Sequence, residues 1–539
     1  MNRTRLFFAV ALLAAVILAP GGKASSQVVT RETQGDTRDL RLVLFLTVDQ
    51  FRFDYLTRFA SAYESGLARL VRDGAVFLNA QLEHYPTVTA PGHVAFGSGA
   101  MPSTSGIIGN DWFDRDSGKS VTSVSDEHVK QLGGSSATSA SPHRLQVTTI
   151  ADELKLAAHA RGATAIPRAI GISLKDRSAI LTVGRSADAA YWYDASNGEF
   201  VTSTFYLEAL PAWVRQFNGR RIGDTYAGRP WPFLEPPATQ RAVAAKPGSE
   251  LYAGIYASPF GNDLLGRFAA ATLDGEQLGR RETVDVLSVS FSSNDSVGHT
   301  YGPDSPEVRA VSVATDRAIG TLLDEVEKRI GLDRVLVVFT SDHGVAPLPE
   351  MANALRLPGG RLAPDDLFGP IRRALEQRFG AGQWILGTAG SSPYLNYALM
   401  AERGLDPATV RAVAATAAAG VPQVARVYTR DQLLQGSVPS DVFSRRVVQS
   451  FHPQRSGDLE ILLQPFWIRQ KTGTTHGTPY PYDSHVPLIF MGPGIRAGRY
   501  AQQVALNDVA STLATMLGVS MPSGAVGRVL SEILLAQPH

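Results

Sequence analysis

Three short apolar runs break off at a residue able to bind a metal, and a fourth is preceded by one; this pattern constrains the fold more than any other. Leu42 to Val48 ends at Asp49, Val284 to Phe291 is followed by Asp295 and His299, and Val335 to Thr340 by Asp342-His343. Val486 to Met491 follows shortly after His476. Runs of this length, apolar on both faces, read as buried strands of a parallel sheet. In open sheets of that kind function gathers at the carboxyl ends of the strands, so residues far apart in sequence can meet in one crevice. Helical sequence accompanies the strands, as at Val308 to Arg329, and a further strand is expected over Ala165 to Ile172. The expected fold is α/β: a doubly wound, mostly parallel sheet with helices on both faces, plus insertions on its functional rim.

Three carboxylates and three imidazoles are enough for two divalent metals. Metals roughly 4 Å apart can hold the attacking and leaving oxygens of an in-line phosphoryl displacement. A seventh oxygen lies in Pro86-Thr87-Val88-Thr89-Ala90-Pro91-Gly92-His93. Thr89 is the candidate nucleophile, because Pro91 and the small residues after it place Thr89 at a helix N-terminus, where backbone N–H groups favour an anion. Thr87 is the rival hydroxyl, read as a turn residue, and His93 is expected to pack and hydrogen-bond within the turn. The chain has no Cys, so any metal must be held by nitrogen and oxygen ligands, and a cysteine-derived nucleophile is excluded.

The 539 residues suffice for one large domain with insertions. Residues 1–26 read as a signal peptide: Arg3 and Arg5, the apolar run Leu6 to Leu18, then small residues. That run is short of the roughly 20 residues a membrane span needs, so a periplasmic or secreted protein with no stable span after signal removal is expected. Residues 27–539 are expected to form the catalytic domain, beginning with an extended arm over Gln27 to Asp39 and carrying insertions at about 184–279 and 345–473. The second insertion is read as a small subdomain containing the helix Pro407 to Ala419 and the strand Leu459 to Leu463. An amphipathic helical stretch is expected from Phe53 to Val71. A net charge of +1 without Lys/Arg runs argues against nucleic acid as a specific partner.

The motifs Thr-Val-Asp49-Gln-Phe, Thr89-Ala-Pro-Gly-His, Gly-Ile-Ile-Gly-Asn110-Asp-Trp-Phe, Lys175-Asp-Arg177, Asp295-Ser-Val-Gly-His299, Ser-Asp342-His343-Gly and Thr-Thr-His476-Gly follow one another in order. With them the chain resembles the alkaline phosphatase superfamily, most closely its bacterial PafA-like and PhoK-like zinc enzymes with a threonine nucleophile. The resemblance implies two Zn2+ ions per chain, one surrounded by Asp49, Thr89, Asp342 and His343, the other held by Asp295, His299 and His476. His485 competes with His476 for the last position, and the family's Thr-His-Gly pattern favours His476. Asn110, Lys175 and Arg177, read in isolation as a turn residue and a solvated pair, become substrate-binding donors to the phosphoryl oxygens. The implied activity is hydrolysis of small phosphate monoesters through a phospho-threonine. The related phosphodiesterases and nucleotide pyrophosphatases, the alternative, usually lack the Lys/Arg pair.

Overall fold

The computed structural model describes residues 39–535 except 135, 137, 138 and 237. The leader at 1–26 and all but the last residue of the arm lie outside the described residues. The core is a sheet of ten strands: β1 (Leu42–Val48), β2 (Ala75–Gln81), β3 (Gln131–Leu132), β4 (Ala169–Ser173), β5 (Ala189–Asp194), β6 (Glu199–Ser203), β7 (Asp285–Phe291), β8 (Val335–Thr340), β9 (His485–Met491) and β10 (Gly498–Ala505). Across the sheet they run β10-β2-β9-β8-β1-β7-β4-β5-β6-β3. The central strands β8, β1, β7, β4 and β5 are parallel to their neighbours in that series.

Every residue of β1 is buried, and its alternating side chains feed two layers. Leu42, Leu44, Leu46 and Val48 join one core with helices α1 (Gly66–Asp73), α4 (Pro259–Gly275) and α5 (Pro306–Arg329); Val43 and Phe45 join another with α2 (Thr89–Ser98), α3 (Ile150–Ala160) and α6 (Asp508–Leu517). A strand that buries both faces draws mainly on apolar side chains, and β1 is apolar at every position but Thr47.

Three expectations are corrected. The 184–279 stretch is not a rim insertion throughout: β5, β6 and α4 belong to the sheet and its covering layer. β9 runs antiparallel to both β8 and β2. The helix expected over Phe53 to Val71 is broken, because the Asp316 carboxylate accepts hydrogen bonds from the backbone N–H groups of Glu64, Ser65 and Leu67 at 3.0, 3.0 and 2.7 Å and so starts α1 at Gly66. Within 345–473, helices Pro364–Phe379 and Pro407–Ala419 pack with strand Leu459–Leu463 around a separate apolar core.

Candidate metal centre

Because β1, β7, β8 and β4 are parallel, their carboxyl ends share one rim, and Asp49, Asp295, Asp342 and Lys175 follow them there directly or within a few residues. The reversal of β9 brings its start to the same rim, so the loop ahead of it can deliver His476. Thr89 is the first residue of α2, which is buried along its whole length. Gly92 permits this, since a Cβ there would collide with the Asp342 carbonyl oxygen.

The three imidazoles are oriented alike. His343 Nδ1 lies 2.9 Å from the Gly344 carbonyl, His476 Nδ1 2.8 Å from that of Thr87, and His299 Nδ1 2.8 Å from that of Thr474. A carbonyl only accepts, so each Nδ1 carries the proton and each neutral ring keeps the lone pair of Nε2, the arrangement found in metal-ligating histidines. Burial pushes His343 below its ordinary pKa; burial, then the neighbouring rings of His343 and His299, push His476 well below. His299 goes the other way: burial opposes protonation, but Asp295, 3.1 Å from its Nε2, outweighs it.

Ligand atoms of Asp49, Asp342 and His343 lie within 4.8 Å of one another, as do those of Asp295, His343 and His476. The first group coincides with one expected set. The second includes His343 because its ring stacks on His476 with centroids 3.5 Å apart, while His299 sits on Asp295. Asp49 Oδ1 and Asp342 Oδ2 are buried and accept no hydrogen bond among the described residues. Buried carboxylate oxygens without donors are expensive unless a cation meets them, so the donor set fits divalent metal.

Burial, then the charges of Asp342 and Asp295, raises Asp49 well above the usual carboxylate range, with Lys175 pulling against both. Burial also opposes ionisation of Asp342 and Asp295, but their neighbours prevail and hold both below that range, His343 for the first and His299 with Lys175 for the second.

The expected donors are placed unequally. Asn110 Oδ1 accepts from the Ala90 N–H at 2.8 Å, which leaves its Nδ2 without a hydrogen bond among the described residues. Lys175 Nζ instead bridges carboxylates, 2.6 Å from Asp49 and 2.7 Å from Asp295. Arg177 Nε is buried and unbonded, and the guanidinium lies 3.9 Å from Asp176. Thr89 Oγ1 is 3.4 Å from His343 Nε2, whereas Thr87 spends its hydroxyl on the Thr478 carbonyl at 2.7 Å. His485 stacks on Phe53 and pairs with the Leu78 carbonyl, apart from the cluster. His93 ties the Thr89 carbonyl to Ser290, with Asp342 3.3 Å from its Nδ1.

Gln50 is the residue that sequence reasoning missed. It adopts φ 59°, uncommon for a residue with a side chain, and so turns its N–H to Asp342 at 3.2 Å and its amide to Asp295 at 2.6 Å. One residue thereby links the two ligand groups. Its position next to Asp49 was the only signal.

The sequence profile of the family described as type I phosphodiesterase / nucleotide pyrophosphatase matches residues 43–484. The chain is 34% identical to alkaline phosphatase PafA of Elizabethkingia meningoseptica, over 92% of this chain and 94% of the relative. It is 33% identical to alkaline phosphatase PhoV of Synechococcus elongatus, over 92% and 93%. The crystal structure of wild-type PafA superposes with a TM-score of 0.85 at 33% identity, covering 92% of this chain and 99% of that one. A PafA variant, matched with a TM-score of 0.84, is altered at a threonine and an asparagine separated by the same interval as Thr89 and Asn110, and at a lysine and an arginine spaced as Lys175 and Arg177.

Proposed function

The chain belongs to the type I phosphodiesterase / nucleotide pyrophosphatase family, and from that premise we propose that it is an exported, metal-dependent phosphate monoester hydrolase acting through a phospho-threonine on Thr89. The observation that carries the reading is the convergence of His343, His476 and His299 Nε2 with Asp49, Asp295 and Asp342 on one rim, beside a threonine hydroxyl that no backbone carbonyl has claimed. Bound Zn2+, held by Asp49, Asp342 and His343 and by Asp295, His299 and His476, would supply Lewis acidity to the nucleophilic hydroxyl and to the departing oxygen. Three imidazoles, with carboxylates completing the set, suit zinc over the harder divalent cations.

Thr89 Oγ1 forms the new P–O bond as the ester oxygen leaves, and water then attacks the phospho-threonine to release phosphate. Asn110 Nδ2 donates to a non-bridging oxygen, its carbonyl being pinned by Ala90. Arg177 offers a planar fork and Lys175 a compact charge between the two carboxylates. A monoester carries an extra charged oxygen that a diester esterifies, so this pair rewards monoesters. Export is supported by the leader-like residues 1–26, and none of the described helices is long and apolar enough to cross a membrane.

The test is kcat/KM for a matched aryl monoester and diester on protein of measured zinc content. The monoester is expected to be preferred; a preference for the diester would move the chain to the phosphodiesterase reading that the family's own description keeps open.

A further inference from the structure

A cavity of about 420 Å3 adjoins the metal centre, a volume in the range of small-molecule sites. Its lining includes Asn110, His299 and His476, and not Asp49, Asp342 or His343. It therefore opens beside the second ligand group, on the side from which the ester oxygen would depart. Most of the remaining lining comes from the 345–473 segment together with Tyr85, and includes Tyr394, Trp467, Glu460 and Arg469.

Arg469 stands apart from its neighbours. Arg411 is paired with Asp431, Arg426 with Asp441, and Arg455 with the carbonyls of Gly106 and Arg144. The half-buried Arg469 has no hydrogen bond or ion pair among the described residues; its guanidinium lies 5.8 Å from the centroid of the Phe368 ring and within electrostatic reach of the Tyr85 phenol, which is no counter-ion while protonated. Arg is the side chain whose fork best matches a carboxylate or phosphate, and a partly buried one without a partner favours an anionic guest. The Tyr85 and Tyr394 hydroxyls are spent on the carbonyls of Ile461 and Arg455, which leaves their rings as wall. Two acids line the cavity: Asp111, which follows Asn110 in the chain, and Glu460, which is hydrogen-bonded by Ser392 and raised by burial to about 7, so that Glu460 opposes an anion only weakly at neutral pH and below.

We propose that this cavity receives the leaving group, and that it selects monoesters whose leaving group has a flat aromatic body and a second anionic group, a carboxylate, bound by Arg469. This deepens the phosphomonoesterase reading and rests on it.

The experiment compares 4-carboxyphenyl phosphate with its neutral isostere 4-carbamoylphenyl phosphate on the zinc-loaded protein, as wild type, Arg469→Met and Arg469→Lys. The ratio of their kcat/KM values cancels any general damage. It is expected to fall about ten- to a hundredfold in Arg469→Met, the scale of a hydrogen bond to a charged group, with the carbamoyl ester unchanged and Arg469→Lys recovering part of the ratio. An unchanged ratio, or an equal loss for both esters, overturns the proposal. Calorimetric titration with 4-hydroxybenzoate needs no turnover, so it separates the two readings. If neither ester is hydrolysed the phosphomonoesterase reading fails, and the titration still decides the cavity: binding lost in Arg469→Met supports the site, and equal binding by both proteins refutes it.

Discussion

The proposed mechanism gives the Asn110 amide two jobs, and substitutions can pull them apart. The Ala90 N–H is an obligate donor, so the oxygen 2.8 Å from it fixes the amide's orientation and leaves Nδ2 available for the phosphoryl contact proposed above. Asn110→Ala removes both halves. Losing the acceptor leaves an N–H at the start of α2 without its partner, a cost of about 1 kcal/mol. Losing the donor costs about 10²–10³ in kcat/KM, the scale of one oxyanion-hole group. Asn110→Asp keeps the shape and the acceptor, so urea unfolding is expected to match wild type within about 0.5 kcal/mol. It places a carboxylate oxygen where Nδ2 stood, facing a phosphoryl anion, so its kcat/KM is expected to fall at least as far as that of Asn110→Ala. Stability and rate are measured on the same zinc-loaded preparations. An Asn110→Asp enzyme that keeps its rate refutes the donor role, and one destabilised as much as Asn110→Ala refutes the pinning of Ala90.

Chelation is expected to abolish hydrolysis, and added zinc to restore it with close to two equivalents retained by metal analysis; full activity in metal-free protein would exclude the mechanism. Replacing Lys175 and Arg177 together is expected to cost monoester kcat/KM roughly a hundredfold and diester kcat/KM much less, and equal losses would make the pair structural. Glu460 gives a stability signature. Its folded pKa, about 7 against an ordinary 4.5, means the native state holds the extra proton between those values. Stability from this group is thus full below pH 4.5 and is lost as pH rises through 7, by at most about 3 kcal/mol. Denaturant titration of wild type against Glu460→Gln is expected to show that slope only in the wild type.

The strands that carry the ligands were legible because burial on both faces leaves mostly apolar residues, with a few small hydroxyls, in β1, β7 and β8, and each is followed, directly or within a few residues, by a charged or imidazole residue. The direction of β9 was not, since a buried strand has the same composition whichever way it runs; pairing with β8 and β2 decides it. β5 and β6, with the sequences Ala-Ala-Tyr-Trp-Tyr-Asp and Glu-Phe-Val-Thr-Ser, sit near the edge of the sheet and carry aromatic residues in place of an aliphatic run, so they read as insertion. Gln50 was invisible because an amide is ordinarily a surface residue, and only the positive φ sends it inward. Asp316 escaped notice as a helical carboxylate, since its partners are backbone N–H groups about 250 positions away. Arg177 and Asn110 carried no local signal; their placement depends on the short helix Asp176–Leu181 that follows β4 and on the chain beyond α2 converging at the rim.

The central claim is that Thr89 carries the phosphoryl group between substrate and water. Zinc-loaded protein is mixed with radiolabelled aryl phosphate, quenched in acid during turnover and digested, and the labelled peptide is sequenced. The account predicts label on Thr89, its disappearance in Thr89→Ala together with most activity, and its persistence in Thr87→Ala. Label on Thr87, or a Thr89→Ala enzyme that turns over normally, would contradict it.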